Sequence, residues 1–262
     1  MRQKALAFFQ TQNKTTERTV LMMKSGTGKS KSSPSAPISG VPDCSNLAHK
    51  YLLDCDTLFQ AEPKPFDIEN FVKNFLELDV VEADMDLPFI KGFVVYSQAL
   101  LSVGDCCISV NPGTVILNQE LEKGSTEWRY ILAHEAAHWI LKRERPTQVT
   151  SYYSCCKGFS ERSDLLDSER ISIYYATNSD ADAEMMADSI ANALLMPASV
   201  FLPYATDLME KYGFCEHKIL VGECPEEENM VITELATKFD VPEYSVRNYL
   251  YTFGMYDDNT IN

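Results

Sequence analysis

The sequence predicts an α+β domain, because helical periodicity at both ends brackets a β-rich stretch of short apolar runs. Three observations carry this. Residues 44–60 set Leu47, Tyr51, Leu52, Cys55 and Leu58 at helical spacing. Short strand candidates follow at 79–83, 92–97, 105–110 and 114–118. From residue 126 onward the apolar period is helical again. The expected architecture is a small mixed sheet, a long helix carrying His134-Glu135-Ala136-Ala137-His138, and a helical C-terminal region.

In chain order, residues 1–43 are expected to form a flexible basic arm, rich in Thr, Ser, Lys, Gly and Pro and without a sustained apolar period. Within it, Ser25-Gly-Thr-Gly-Lys-Ser30 looks like the end of a phosphate-binding loop. Met23 stands where that motif requires its first glycine, and no buried strand precedes it, which weighs against nucleotide binding. The folded domain is expected over 44–255, with 256–262 as a tail. After the break at Pro63-Lys-Pro65, Asp67 can cap a helix bearing Ile68, Phe71, Val72 and Phe75 on one face. Val103-Gly-Asp105 and Asn111-Pro-Gly113 are the turn signals among the strand candidates. Ser125 or Thr126 can cap a helix over 126–142. A polar, cysteine-bearing loop is expected at about 143–178, then a helix over about 180–196 ended by Pro197, and helical segments at 197–213 and 229–254.

Bulk properties exclude several classes. Residues 1–40 carry a net charge of +6, so the rest carries −21 of the total −15. An acidic body repels a phosphate backbone, which weighs against nucleic-acid binding by the folded part. No apolar run approaches the ~20 residues of a membrane span, and the basic N-terminus has too short an apolar stretch for a secretory signal. The expected location is therefore cytoplasmic. The eight cysteines include two vicinal pairs, Cys106-Cys107 and Cys155-Cys156, and no C-x-x-C. Reduced thiols are expected rather than a disulfide framework or a thiolate zinc knuckle.

On the 126–142 helix, Ile131, His134, His138 and Leu141 recur at spacings of three and four and share one stripe. Two imidazoles one turn apart can bind one zinc ion, at roughly 2.0–2.1 Å from each nitrogen. Glu135 lies about 100° round the helix. It is therefore placed as a general base toward water at the metal rather than as a third ligand. The competing reading is an amphipathic helix with two half-buried histidines satisfied by hydrogen bonds.

A third ligand favours the metal. The segment Asp180 to Pro197 sets Glu184 and Asp188 one turn apart, on a face shared with Ala187, Ala191 and Leu195. Carboxylates on a buried face need partners. A metal would supply one for Glu184, and a hydrogen bond to a ligating imidazole one for Asp188. Two histidines and a glutamate leave a fourth position open, as catalytic zinc sites do. The alternative is a solvated acidic first turn, favourable to the helix dipole, which accounts for Asp180 and Asp182 better than for Glu184 and Asp188.

Together Val115-Ile-Leu-Asn118, Tyr130-Ile-Leu-Ala-His-Glu-Ala-Ala-His-Trp-Ile-Leu141, Glu184-x-x-Ala-Asp188 and Ala193-Leu-Leu-Met-Pro197 resemble the ImmA/IrrE family of metallopeptidases, over about residues 44–255. Ala137 stands where that family often has glycine, Lys142 where it often has a further histidine, and Met186-Ala187-Asp188 where many members have Glu-Ala-Asn. The resemblance implies a gluzincin-like fold, one zinc ion on His134, His138 and Glu184, and Glu135 as base. It also implies cleavage of a transcriptional repressor or similar regulatory protein.

The segment 234–250 has the apolar rhythm of a helix-turn-helix in Leu235, Ala236, Phe239, Val241, Val246 and Leu250. Its would-be reading helix offers one base, Arg247, beside Glu243, so a structural helical pair is the better expectation. The leading expectation is a zinc endopeptidase in which Tyr152, Tyr153, Tyr174, Tyr175 or His217 steadies the oxyanion and a strand edge holds an extended substrate. The alternative is a non-catalytic regulatory binding protein acting through the helix-turn-helix-like end or the basic arm. Such a binder would not need Glu135.

Overall fold

A computed structural model of the 262-residue chain describes residues 41–55, 62–84, 91–96, 98–103, 106–145 and 178–257. The chain divides into two units, Met1–Ser39 and Gly40–Asn262, and every described residue belongs to the second. Residues 1–40 of the basic arm with its phosphate-loop-like segment, the loop residues 146–177 and the last five residues lie outside the described residues, while residues 41–43, expected to belong to the arm, begin the first helix.

The described part is mixed α+β. It opens with α1 (Val41–Cys55), which buries Cys44, Ala48, Tyr51 and Leu52 on one face. Asp67 then caps α2 (Ile68–Asn70), its carboxylate accepting the Asn70 N–H at 3.0 Å. The helix widens into a π turn over Phe71–Phe75, and Ile68, Phe71 and Val72 are buried as the spacing predicts. The strands are β1 (Asp79–Ala83), β2 (Gly92–Val95), β3 (Ala99–Val103), β4 (Cys106–Val110) and β5 (Thr114–Asn118). The sequence reading omitted β3, which pairs antiparallel with β4 as a two-stranded sheet of its own. The last two residues of the expected turn signal Val103-Gly-Asp105 lie outside the described residues.

The mixed sheet has the order β1-β5-β2. Strand β5 is central and buried along its whole length, as its unbroken Val115-Ile-Leu117 run requires. It pairs in parallel with β1 (Asp79 opposite Thr114) and antiparallel with β2 (Val94 opposite Val115). Gly113 starts it at φ +86°, a left-handed conformation that suits glycine. Its N–H donates to the Val95 carbonyl at 2.8 Å and its carbonyl accepts from Asp79 N–H at 3.0 Å, so one residue links three strands.

Helix α3 (Thr126–Glu144) follows, with Ser125 as its cap: the hydroxyl accepts the Trp128 N–H at 3.2 Å. It packs against β2, and Gly92 makes the approach possible. A Cβ there would stand 2.8 Å from Ile131 Cγ2. Helix α4 (Asn178–Leu195) packs on both α3 and α1. Ala183, Ala187 and Ala191 on α4 and Ala133, Ala136 and Ala137 on α3 are all buried, so two alanine faces let the helices meet closely.

The rest is α5 (Ala198–Lys211), a 3-10 turn at Cys215–His217, β6 (Ile219–Leu220), α6 (Pro225–Phe239), α7 (Glu243–Thr252) and β7 (Tyr256–Asp257), which pairs with β6. The helix-turn-helix-like segment expected at 229–254 is a pair of helices, α6 and α7, separated where Asp240 turns left-handed at φ 54°. Leu235, Ala236, Phe239, Val241, Val246 and Leu250 are all buried. Among the described residues there are seven α-helices, and no single one is long and apolar enough to cross a membrane. α4 from Ala183 and α5 would pass only together, and they are bent by 75°.

Candidate metal centre

Helices α3 and α4 run antiparallel at the site: Tyr130 and His134 meet Asp188, while His134 and His138 meet Glu184. The i, i+4 rise on one helix is matched by the i, i+4 fall on the other. His138 Nε2 and His134 Nε2 lie 3.0 Å apart. Glu184 places Oε2 3.1 Å from His134 Nε2 and Oε1 3.4 Å from His138 Nε2. The three side chains form a group that can hold a metal ion, with their ligand atoms all within 4.8 Å of one another.

The chemistry of the donor set fits an ion. Tetrahedral ligands at about 2.0 Å from one zinc lie about 3.3 Å apart, and the observed separations of 3.0, 3.1 and 3.4 Å bracket that spacing. His134 Nδ1 sits 2.8 Å from Asp188 Oδ1, a contact that calls for a proton on Nδ1. A neutral His134 then offers a bare lone pair at Nε2, facing a carboxylate and a second imidazole nitrogen. A cation at the centre of such a cluster, either a proton or a metal ion, satisfies all three groups at once.

Without a metal, the proton takes that role. Burial opposes a charged His134, yet the hydrogen bonds of Asp188 and Glu184 outweigh it and raise its pKa to about 10. Burial likewise opposes ionisation of Glu184, and the two histidines overcome it, lowering its pKa to about 2. Glu135 is buried beside them, and burial pushes its carboxyl above the usual range. The two histidines and the Val94 N–H, which donates to its carboxylate, pull the other way. Strand β2 thus touches Glu135 directly.

His134, His138, Glu184 and Asp188 join one hydrogen-bonded network, and Glu135 adjoins it. One expectation needs correction. Glu184 and Asp188 are only partly buried: their side chains are 44% and 48% exposed. Ala187, Ala191 and Leu195 turn into the core, whereas the two acids lie at its margin, so the cluster opens toward solvent. His217, an oxyanion candidate, is exposed and paired with Glu210 at 2.8 Å. Tyr152, Tyr153, Tyr174 and Tyr175 lie outside the described residues.

Sequence reasoning missed three participants. Tyr130 donates to Asp188 Oδ1 at 2.8 Å, and its place four residues before His134 was a usable signal. Tyr244 packs its ring edge-on against Tyr130 at 5.4 Å, bringing the start of α7 to the site. Val94 acts through its backbone and left no signal. The would-be reading helix has its one basic residue occupied: Arg247 donates to Glu243 at 3.1 Å and to Asn229 at 3.4 Å.

The fold and this cluster define a mixed α+β protein with a candidate two-histidine, one-carboxylate metal centre on paired helices. Compared with known proteins, the chain matches no family model, and no curated protein matches it significantly.

Proposed function

We propose that the chain is a zinc-dependent endopeptidase of zincin type, with one zinc ion on His134, His138 and Glu184. The observation that supports it best is the convergence of two imidazole nitrogens and a carboxylate within 3.0–3.4 Å, with a buried glutamate on the adjoining residue. A zinc ion held there supplies Lewis acidity, polarising a peptide carbonyl and acidifying water. Glu135 takes a proton from water as the water oxygen attacks the carbonyl carbon. It then passes that proton to the departing amine nitrogen as the C–N bond breaks. Its burial keeps the carboxylate basic enough for the first step, and the Val94 N–H holds it in place. Asp188 fixes the tautomer of His134.

The substrate we propose is a repressor or another regulatory protein, met in the cytoplasm. The support for this is the motif resemblance of 130–141 and 193–197, together with an acidic body ill suited to nucleic acid. A buried Glu135 set beside the cluster favours catalysis over a purely binding role, which has no use for it.

The test is to measure zinc content of the full chain and of His138→Ala, then incubate zinc-loaded protein with a proteome-derived peptide mixture and label new N-termini. About one zinc per wild-type chain is expected, with new termini that vanish in Glu135→Gln while its zinc stays. A wild type without zinc, or cleavage that survives Glu135→Gln, defeats the proposal.

A further inference from the structure

Tyr130 lies one helical turn before His134 on α3 and is buried. Its hydroxyl donates to Asp188 Oδ1 at 2.8 Å, and the same oxygen stands 2.8 Å from His134 Nδ1. One carboxylate oxygen therefore receives both a phenol and an imidazole. Asp188 is otherwise half exposed, with water and several rotamers open to its carboxylate. A tyrosine fixed in the core, and braced edge-on by Tyr244 at 5.4 Å, gives that carboxylate one orientation.

We propose that Tyr130 is a positioning residue of the metal centre. By hydrogen bonding Asp188 it holds the carboxylate on His134 Nδ1, so that His134 keeps its Nε2 turned toward His138 and Glu184. The proposal rests on the metal-centre reading above and adds a member that does not touch the ion. Groups that hydrogen-bond a ligating histidine set its tautomer and ring orientation, and losing them weakens metal binding. Tyr130 stands one step further out, so its effect must pass through Asp188.

That dependence gives the test. Zinc and cobalt affinities of the full chain are measured by competition with a chromophoric chelator, for wild type, Tyr130→Phe, Asp188→Ala and the double variant. Asp188→Ala changes a half-exposed helical position to a strong helix former, so the fold is retained. Tyr130→Phe keeps the ring and removes only the hydroxyl. We expect Tyr130→Phe to weaken binding about three- to tenfold, and Asp188→Ala about ten- to a hundredfold. The double variant should bind as Asp188→Ala does, because nothing remains for the hydroxyl to hold. The ligand-field spectrum of bound cobalt should change in Tyr130→Phe, which a general packing defect would not require. Wild-type affinity in Tyr130→Phe, or a loss that simply adds to that of Asp188→Ala, overturns the proposal while leaving the metal centre standing. A wild type that binds neither ion removes the metal centre and this proposal together.

Discussion

His134 Nδ1 stands 2.8 Å from Asp188 Oδ1, and that contact determines which nitrogen of His134 faces the cluster. The donating Nδ1–H leaves Nε2 bare toward the cluster, 3.0 Å from its counterpart on His138. Because both residues lie on helices, the relationship depends on how α3 and α4 are pressed together, and it can be disturbed at a distance. The predictions below follow from it and from its neighbours.

The first concerns protons. In the metal-free protein His134 is raised from 6.5 to about 10 and is charged at neutral pH. A metal ligand must be neutral, so binding at pH 7 should release about one proton, and affinity should climb about tenfold per pH unit until pH nears 10. Calorimetry in buffers of different ionisation enthalpy reads the proton count. A count near zero would falsify the protonated-His134 state.

The second concerns stability of the metal-free chain. His134 has a raised folded pKa, so its contribution is complete below 6.5 and is lost as pH rises toward about 10. Glu184 has a lowered folded pKa, so its contribution is complete above 4.5 and is lost as pH falls toward about 2. From this pair the metal-free protein should be most stable between pH 4.5 and 6.5. Denaturation midpoints taken across pH, with and without chelator, check the window. Bound zinc should move the optimum upward, since it replaces the proton.

Glu135 gives the third. Its carboxyl is pushed up by burial, so ionising it costs folding energy above the usual carboxylate range. Glu135→Gln keeps an oxygen to accept the Val94 N–H and loses the charge. Metal-free Glu135→Gln should therefore be more stable than wild type, by of the order of 1 kcal/mol or about 2–4 °C in Tm. Peptide hydrolysis should fall at least about a hundredfold. Thermal unfolding beside the peptide assay tests both halves, and a destabilised variant would count against a strained carboxylate.

Gly92 gives the fourth. An added Cβ would meet Ile131 Cγ2 at 2.8 Å, Leu117 Cδ2 at 3.0 Å and the Ile116 carbonyl at 3.2 Å. Gly92→Ala should cost about 1–3 kcal/mol, the range for overpacking in a core. It should also lower turnover, because it pushes β2 and Val94 away from Glu135. Ile131→Ala in the same chain should recover part of the stability. Denaturant titrations of the three variants decide it, and full additivity would show that the crowding lies elsewhere.

The sequence by itself determined the local pieces. Periods of 3.6 and 2 marked α1, α3, α4 and four of the five strands before residue 120. Asp67 and Ser125 acted as the caps their positions predicted. The spacing of His134 and His138, and of Glu184 and Asp188, was enough to pick out the group that could hold a metal ion, because residues one turn apart share a face whatever surrounds them. What needed the tertiary structure were the relations between elements. The strand at 99–103 becomes visible only with its partner at 106–110. Tyr244 reaches Tyr130 from more than a hundred residues away, and the Val94 N–H reaches Glu135 on its helix from strand β2. The partial exposure of Glu184 and Asp188 was decided by where they fall at the margin of the packed helices, since periodicity tells which side of a helix a residue is on but not where the core stops.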